Sequence, residues 1–349
     1  MTKSKIFTKI YVLFFSLMAV LLPYEHSMSV CALENNKSAN HSSYLKKVAI
    51  ETGYEILSVA ALVALGYSYK NSDNFFQRCV IGSNSNFLKV TPTENVYFTE
   101  INIDNELHGY EYKAKVVTGD ACLSGKYVIF YSGSGPSNII QINDILDFYT
   151  SRGATVIGVD YNGFGMEDGQ ISRGEICQSS IYSDAGKIYN YVVNHYHAKS
   201  SSILLHGYSL GGPVAAHVAA SVSGKENKLC GLVLQSPMKN TSHAANEILK
   251  KQGSSSIVRV LGSAGGYLFA DSFDCEKELK RLYKKDPDIK ISVCSGGEND
   301  HLSLMKINLD TFLRNYGFKN ITSYTGSSPH MTWSYSAPKS NFVLPHNLI

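Results

Sequence analysis

Three side chains suited to nucleophilic chemistry stand in the order Ser209, Asp300, His330 along a chain of 349 residues. Each lies in a loop that follows a run reading as a strand. Ser209 sits in Gly207-Tyr208-Ser209-Leu210-Gly211, a G-x-S-x-G pattern. Ile203-Leu204-Leu205-His206 precedes it, and the Ala/Val-rich Pro213-Val214-Ala215-Ala216 follows. Strand, sharp turn and helix together are the setting in which this pattern lifts a serine hydroxyl above a sheet. A serine hydroxyl is a weak nucleophile at neutral pH. It needs an imidazole to take its proton during attack and return it to the leaving group. The imidazole in turn needs a carboxylate to hold its tautomer and stabilise the imidazolium. His330, after Ser327-Ser328-Pro329, is the expected base, and Asp300, after Gly296-Gly297-Glu298-Asn299, the expected acid.

Competing residues are weighed against these. Glu298 is the alternative acid in the same turn. His206 lies on the strand itself, so its ring should pack or bond locally. His301 reads as a loop residue, and His346 lies close to the C-terminal end. A Gly/Ser turn also arises by chance in a chain with 28 glycines. The chemical reading of Ser209 therefore rests on the strand and helix around it. A tetrahedral intermediate needs two hydrogen-bond donors. One should be the backbone N–H of Leu210, directly after the nucleophile. The other should come from the loop Ser132-Gly133-Ser134, with the N–H of Ser134 as the choice.

The elements that must hold these residues alternate. Strand readings cover 95–103, 109–117, 126–131, 154–160, the run before Ser209, 229–235, 289–294 and 320–325. Helix readings fall at 139–149, 183–193, after Ser209, within 240–279 and at 304–316. The first two strands read as a hairpin pair. The remaining alternation implies a mostly parallel sheet covered on both faces, an α/β architecture. In such sheets the chemistry gathers beyond the carboxyl ends of the strands. Asp160 ends a strand upstream of the Ser209 turn and reads as a residue that braces its loop. Residues 240–279 are expected to form a small helical cap.

Composition narrows the class. Hydrophobic residues are 44% and charged residues 17%, which suits a globular core. The formal net charge of +3 is too mild for nucleic acid, and no basic stripe with interleaved aromatics is present. The seven cysteines have no C-x-x-C spacing, so neither zinc nor a dithiol redox centre is indicated. Cys230 and Cys294 lie in strand-like runs and are expected to be small core residues. Loss of Cys31 with a leader would leave six, an even number that permits disulfides.

The N-terminus has its own texture. Lys3, Lys5 and Lys9 precede the apolar run Ile10 to Leu22, and Val30-Cys31-Ala32 offers small residues suited to cleavage. This order reads as a signal peptide over 1–32, favoured over an uncleaved anchor. The run is short beside the roughly 20 residues of a spanning helix. Residues 33–94 are expected to hold a polar linker and a second apolar helix, Ile56 to Tyr69, that packs on the catalytic domain or lies at a membrane surface. The chain would then be exported or membrane-associated, with the catalytic domain over 95–349.

Several landmarks together resemble a known family. Ser132-Gly133-Ser134, Asp160-Tyr161-Asn162-Gly163-Phe164-Gly165, Gly207-Tyr208-Ser209-Leu210-Gly211-Gly212, Gln235-Ser236-Pro237 and Gly297-Glu298-Asn299-Asp300 look like the successive landmarks of α/β-hydrolase-fold serine hydrolases. Ser, then acid, then His is also the chain order of that fold. The D-Y-x-G-[FY]-G turn resembles the subgroup of protein depalmitoylases and monoacylglycerol or lysophospholipid hydrolases. The resemblance spans about residues 95 to 335. It departs where the family's His-Gly is Ser132-Gly133 and where a Gly-rich lead-in to the histidine is Ser327-Ser328-Pro329. It implies a serine hydrolase without cofactor or metal, acting on an ester or thioester of a small acyl or lipid-like molecule or of an acylated protein. A non-catalytic binding protein on the same fold, an acyltransferase and a peptidase are the alternatives.

Overall fold

In a computed structural model the described residues are 95–104, 107–118, 121–133, 145–161, 177–251, 256, 259, 272–295 and 309–325. The strands are β1 (Val96–Asn102), β2 (His108–Ala114), β3 (Tyr127–Tyr131), β4 (Thr155–Val159), β5 (Ile203–Tyr208), β6 (Gly231–Gln235), β7 (Ile291–Ser295) and β8 (Ile321–Thr325). The helices are α1 (Gln178–His195), α2 (Gly211–Val222), α3 (Thr241–Lys251), α4 (Cys275–Lys285) and α5 (Leu309–Tyr316). Residues 145–150 are also helical. Among the described residues no helix is long and apolar enough to cross a membrane.

The strands form one sheet in the order β1-β2-β4-β3-β5-β6-β7-β8. β1 pairs antiparallel with β2, and β2 antiparallel with β4; all pairs from β4 to β8 are parallel. This is the α/β-hydrolase fold. The central strands read as unbroken apolar runs because both faces are covered: all five residues of β6 and of β7 are buried.

Two clusters fill the two faces. One gathers Ile129, Tyr131, Leu205, Leu232 and Val293 with α1, α2 and α4. The other gathers Val128, Phe130, Leu204, Val233 and Cys294 with Tyr149 and the aromatic residues of the hairpin. Helix α2 is apolar nearly all round, because it lies between the sheet and α1 and α4.

Some boundaries differ from the sequence reading, for visible reasons. β2 stops at Ala114, where its pairing with β1 ends at Val96↔Ala114; Val116 and Val117 beyond it are exposed. Helix α1 starts at Gln178 rather than 183. Its cap is Cys177, whose Sγ accepts from the Ser180 N–H while the Ser180 hydroxyl meets the Cys177 N–H. Cysteine is not among the usual N-cap residues, so that start carries no sequence signal. Residues 275–279 of the expected cap belong to α4. Asp274 caps α4 by accepting from the Lys277 N–H at 2.9 Å, and Cys275 and Leu279 are fully buried under the sheet-covering layer.

Cys294 is buried as expected, whereas Cys230 stands just before β6 and is partly exposed. None of the five described cysteines is in a disulfide.

Candidate active site

Ser209 is the first of the two residues, Ser209 and Leu210, that turn the chain from β5 into α2. Its φ is 52°, a left-handed backbone that a side chain with Cβ rarely adopts. Such strain persists only where the surroundings enforce it, and here they can be named. A Cβ on Gly207 would stand 2.2 Å from the Gly211 carbonyl oxygen, and one on Gly211 would stand 1.9 Å from the Tyr131 carbonyl oxygen. A Cβ on Gly212 would stand 2.4 Å from Pro237 Cβ. The three glycines thus let strand, helix and the neighbouring loops close on the serine.

The backbone around Ser209 is clasped to the next strand. Its N–H donates to the Gln235 carbonyl at 3.0 Å, and its own carbonyl accepts from Met238 N–H at 2.8 Å and from Gly212 N–H at 3.0 Å. Between Gln235 and Met238 lies Ser236, also left-handed at φ 41° and almost fully buried. Its N–H donates to the Cys294 carbonyl at 2.7 Å, and its hydroxyl has no hydrogen-bond partner among the described residues. Two strained serines on adjacent strands therefore hold each other's turns. The sequence reading placed Gln235-Ser236-Pro237 among the family landmarks but gave Ser236 no role.

Leu210 caps α2 with helical backbone, φ −56° and ψ −35°. The N–H groups that open a helix have no partner within it, and Leu210 directly follows Ser209 at that opening. The loop after β3 comes to the same place. The Gly211 Cβ position is also 2.8 Å from the Ser132 carbonyl oxygen, so Ser132-Gly133 runs directly against the start of α2. Tyr161 anchors that loop by donating its hydroxyl to the Ser132 carbonyl at 3.3 Å. Ser134 itself lies outside the described residues.

Asp300, its alternative Glu298, and His330 also lie outside them. What the fold provides is their approach. Tyr208 pairs with Gln235, Gln235 with Cys294, and Ser295 with Thr325, so β5 to β8 end along one edge. The chain leaves β7 at Ser295 and β8 at Thr325 on the edge that carries Ser209.

His206 is not the base. It is fully buried on β5, with Nδ1 2.8 Å from the Tyr149 hydroxyl and Nε2 2.9 Å from Gln235 Oε1. An amide oxygen only accepts, so Nε2 carries the proton and Nδ1 accepts from Tyr149. Burial holds its pKa down at about 4, although the Gln235 bond pulls the other way. Among the described residues no group of His, Cys, Asp and Glu could hold a metal ion.

A family model described as serine aminopeptidase, S33, matches residues 127–297, from the start of β3 to just beyond β7. The multifunctional-autoprocessing repeats-in-toxin of Vibrio vulnificus is 35% identical over 166 residues, 47% of this chain and 3% of that protein. The chain thus corresponds to a small part of this curated relative. Among solved structures, an alpha-beta hydrolase (ABH) from Vibrio vulnificus has a TM-score of 0.54 at 26% identity, covering 68% of this chain and 76% of that one. The esterase Pf2001 of Pyrococcus furiosus shares the fold, with a TM-score of 0.50 at 18% identity over 70% of this chain and 87% of that one. Sheet order and these likenesses agree on the α/β-hydrolase fold.

Proposed function

We propose that the protein is a serine hydrolase that cleaves carboxylic ester or thioester bonds of an acyl or lipid-like substrate through an acyl-Ser209 intermediate. The observation that carries this reading is the strained Ser209 at the head of α2, with the Leu210 amide beside it. His330 takes the Ser209 proton as the hydroxyl attacks the carbonyl carbon. The amides of Leu210 and Ser134 receive the oxyanion. Asp300 holds the His330 tautomer, and the protonated imidazole delivers its proton to the departing alkoxide or thiolate. Water, deprotonated by His330, then releases the acid and regenerates Ser209.

An active-site-directed fluorophosphonate tests the nucleophile. Wild type should be labelled covalently and Ser209→Ala should not, with both variants folded. Equal labelling of the two, or no labelling of folded wild type, overturns the assignment and favours a binding protein on this fold. A second reading has specific support: the matched family model bears the name of a serine aminopeptidase. A panel of p-nitrophenyl esters, acyl thioesters and aminoacyl anilides, run beside Ser209→Ala, separates the two. Turnover confined to the anilides would replace the ester reading.

A further inference from the structure

A buried polar chain runs from the covering layer to the nucleophile. Tyr149, in the helical stretch 145–150, donates to His206 Nδ1; His206 Nε2–H donates to Gln235 Oε1; the Gln235 carbonyl accepts from the Ser209 N–H. The bonds are 2.8, 2.9 and 3.0 Å long. Tyr149, His206 and Gln235 are at most 5% exposed, so these bonds lie out of water, where breaking one is costly. Phe130 and Tyr149 meet the imidazole edge-on at 5.2 and 5.7 Å between ring centres, which fixes its orientation.

The chain ends where the backbone is most strained. Gln235 is gripped twice, by its side chain through His206 and by its carbonyl through Ser209. Immediately after it the backbone enters the left-handed turn at Ser236. Release of the Gln235 side chain would remove one of these two grips on the residue whose carbonyl receives the Ser209 amide.

We propose that His206, acting with Tyr149 through Gln235, is a positioning residue for Ser209: it holds the β5–β6 clasp so that the serine keeps its left-handed backbone and the Leu210 amide its direction. The inference rests on the serine-hydrolase reading for its kinetic consequence, but not for its structural one. A displacement of about 1 Å at a reacting group costs on the order of a hundredfold in rate. Such a loss should appear in kcat rather than KM, because none of the three side chains reaches the solvent-facing site.

The test compares wild type with Tyr149→Phe, His206→Leu and His206→Gln, each checked for a cooperative melt. Glutamine at 206 restores one donor and one acceptor; leucine restores neither. His206→Leu should lose ten- to a hundredfold in kcat and in fluorophosphonate labelling rate with KM within about twofold. His206→Gln should recover most of that loss, and Tyr149→Phe should fall a few-fold. Hydrogen exchange of the backbone amides of 209–212 is the readout independent of turnover. It should quicken in Tyr149→Phe and His206→Leu and return toward wild type in His206→Gln. Folded variants with unchanged kcat and unchanged exchange overturn the proposal, as does equal loss in the leucine and glutamine variants. If His206→Leu does not fold, Tyr149→Phe decides by the same two readouts. A wild type that is never labelled, yet shows the predicted exchange pattern, sinks the hydrolase reading and leaves the positioning role standing.

Discussion

His206 on β5 and His217 on α2 each meet a tyrosine, in opposite surroundings. His206 is fully buried and bonds edgewise to the Tyr149 hydroxyl and to Gln235. His217 stacks flat on Tyr182, 3.8 Å between ring centres, and lies 3.2 Å from Glu278. Arg281 pairs with the same carboxylate from the next turn of α4. In the dry interior a charge is too costly, so the first pair works with neutral groups whose donors and acceptors run in one direction. In the second cluster Glu278 is itself buried, but His217 and Arg281 beside it are partly exposed and pair its carboxylate, so charge is tolerated. Burial tends to raise the Glu278 pKa, but the neighbouring His217 and Arg281 more than offset it and hold the carboxylate below its usual range. The first arrangement specifies a geometry; the second stitches α1, α2 and α4 together without touching the site.

The largest effect that separates the two regions concerns their glycines. Gly211→Ala drives a methyl to 1.9 Å from a backbone oxygen, so the protein should be insoluble or lose labelling by at least about a hundredfold. Gly186→Ala, in α1, meets nothing within 4 Å and should raise the melting temperature, with a gain of up to about 1 kcal/mol and unchanged labelling. Similar behaviour of the two variants would break the contrast.

Acid titration comes next. The folded His206 pKa of about 4 lies below the unfolded value of 6.5, so the unfolded chain binds the proton first as pH falls. The stability from neutral His206 is therefore complete above pH 6.5 and lost progressively down to about pH 4. At about 1.4 kcal/mol per pH unit this amounts to about 3 kcal/mol, measurable as a fall in the urea midpoint that His206→Gln should flatten. An equal slope in both proteins would show that the loss comes from elsewhere.

Truncating the histidines sharpens the comparison further. His206→Leu removes the donor to Gln235 Oε1 and the acceptor of the Tyr149 hydroxyl from the core and should cost about 2–3 kcal/mol in denaturant unfolding. His217→Leu should cost no more than about 1 kcal/mol, with kcat unchanged. Smallest is Glu278→Gln, about 1 kcal/mol with no kinetic effect. A kinetic defect in either of the last two would mean that the α2–α4 joint also supports the site.

The hairpin, the alternating elements and the Ser209 elbow were legible because their signals are local. A period-two or apolar run marks a strand, and glycines two residues either side of a serine mark a bend that needs close approach. The start of α1 was not legible, because a cysteine capped by Ser180 looks like neither a usual cap nor a turn. The Ser236 strain was equally hidden. A left-handed serine has no composition signal, and its cause is contact with the end of β7 and the elbow.

By itself, then, the sequence determined that a serine would stand on a strand-to-helix bend in a mostly parallel sheet. Only the tertiary structure decided what His206 does. Its partners lie 29 and 57 residues away in the chain, and parallel pairing of β5 with β6, together with the packing of residues 145–150, brings them into one line. Local rules describe how a backbone bends. Whether a histidine is a base or a buried brace depends on which distant groups fold against it and on how much water they leave.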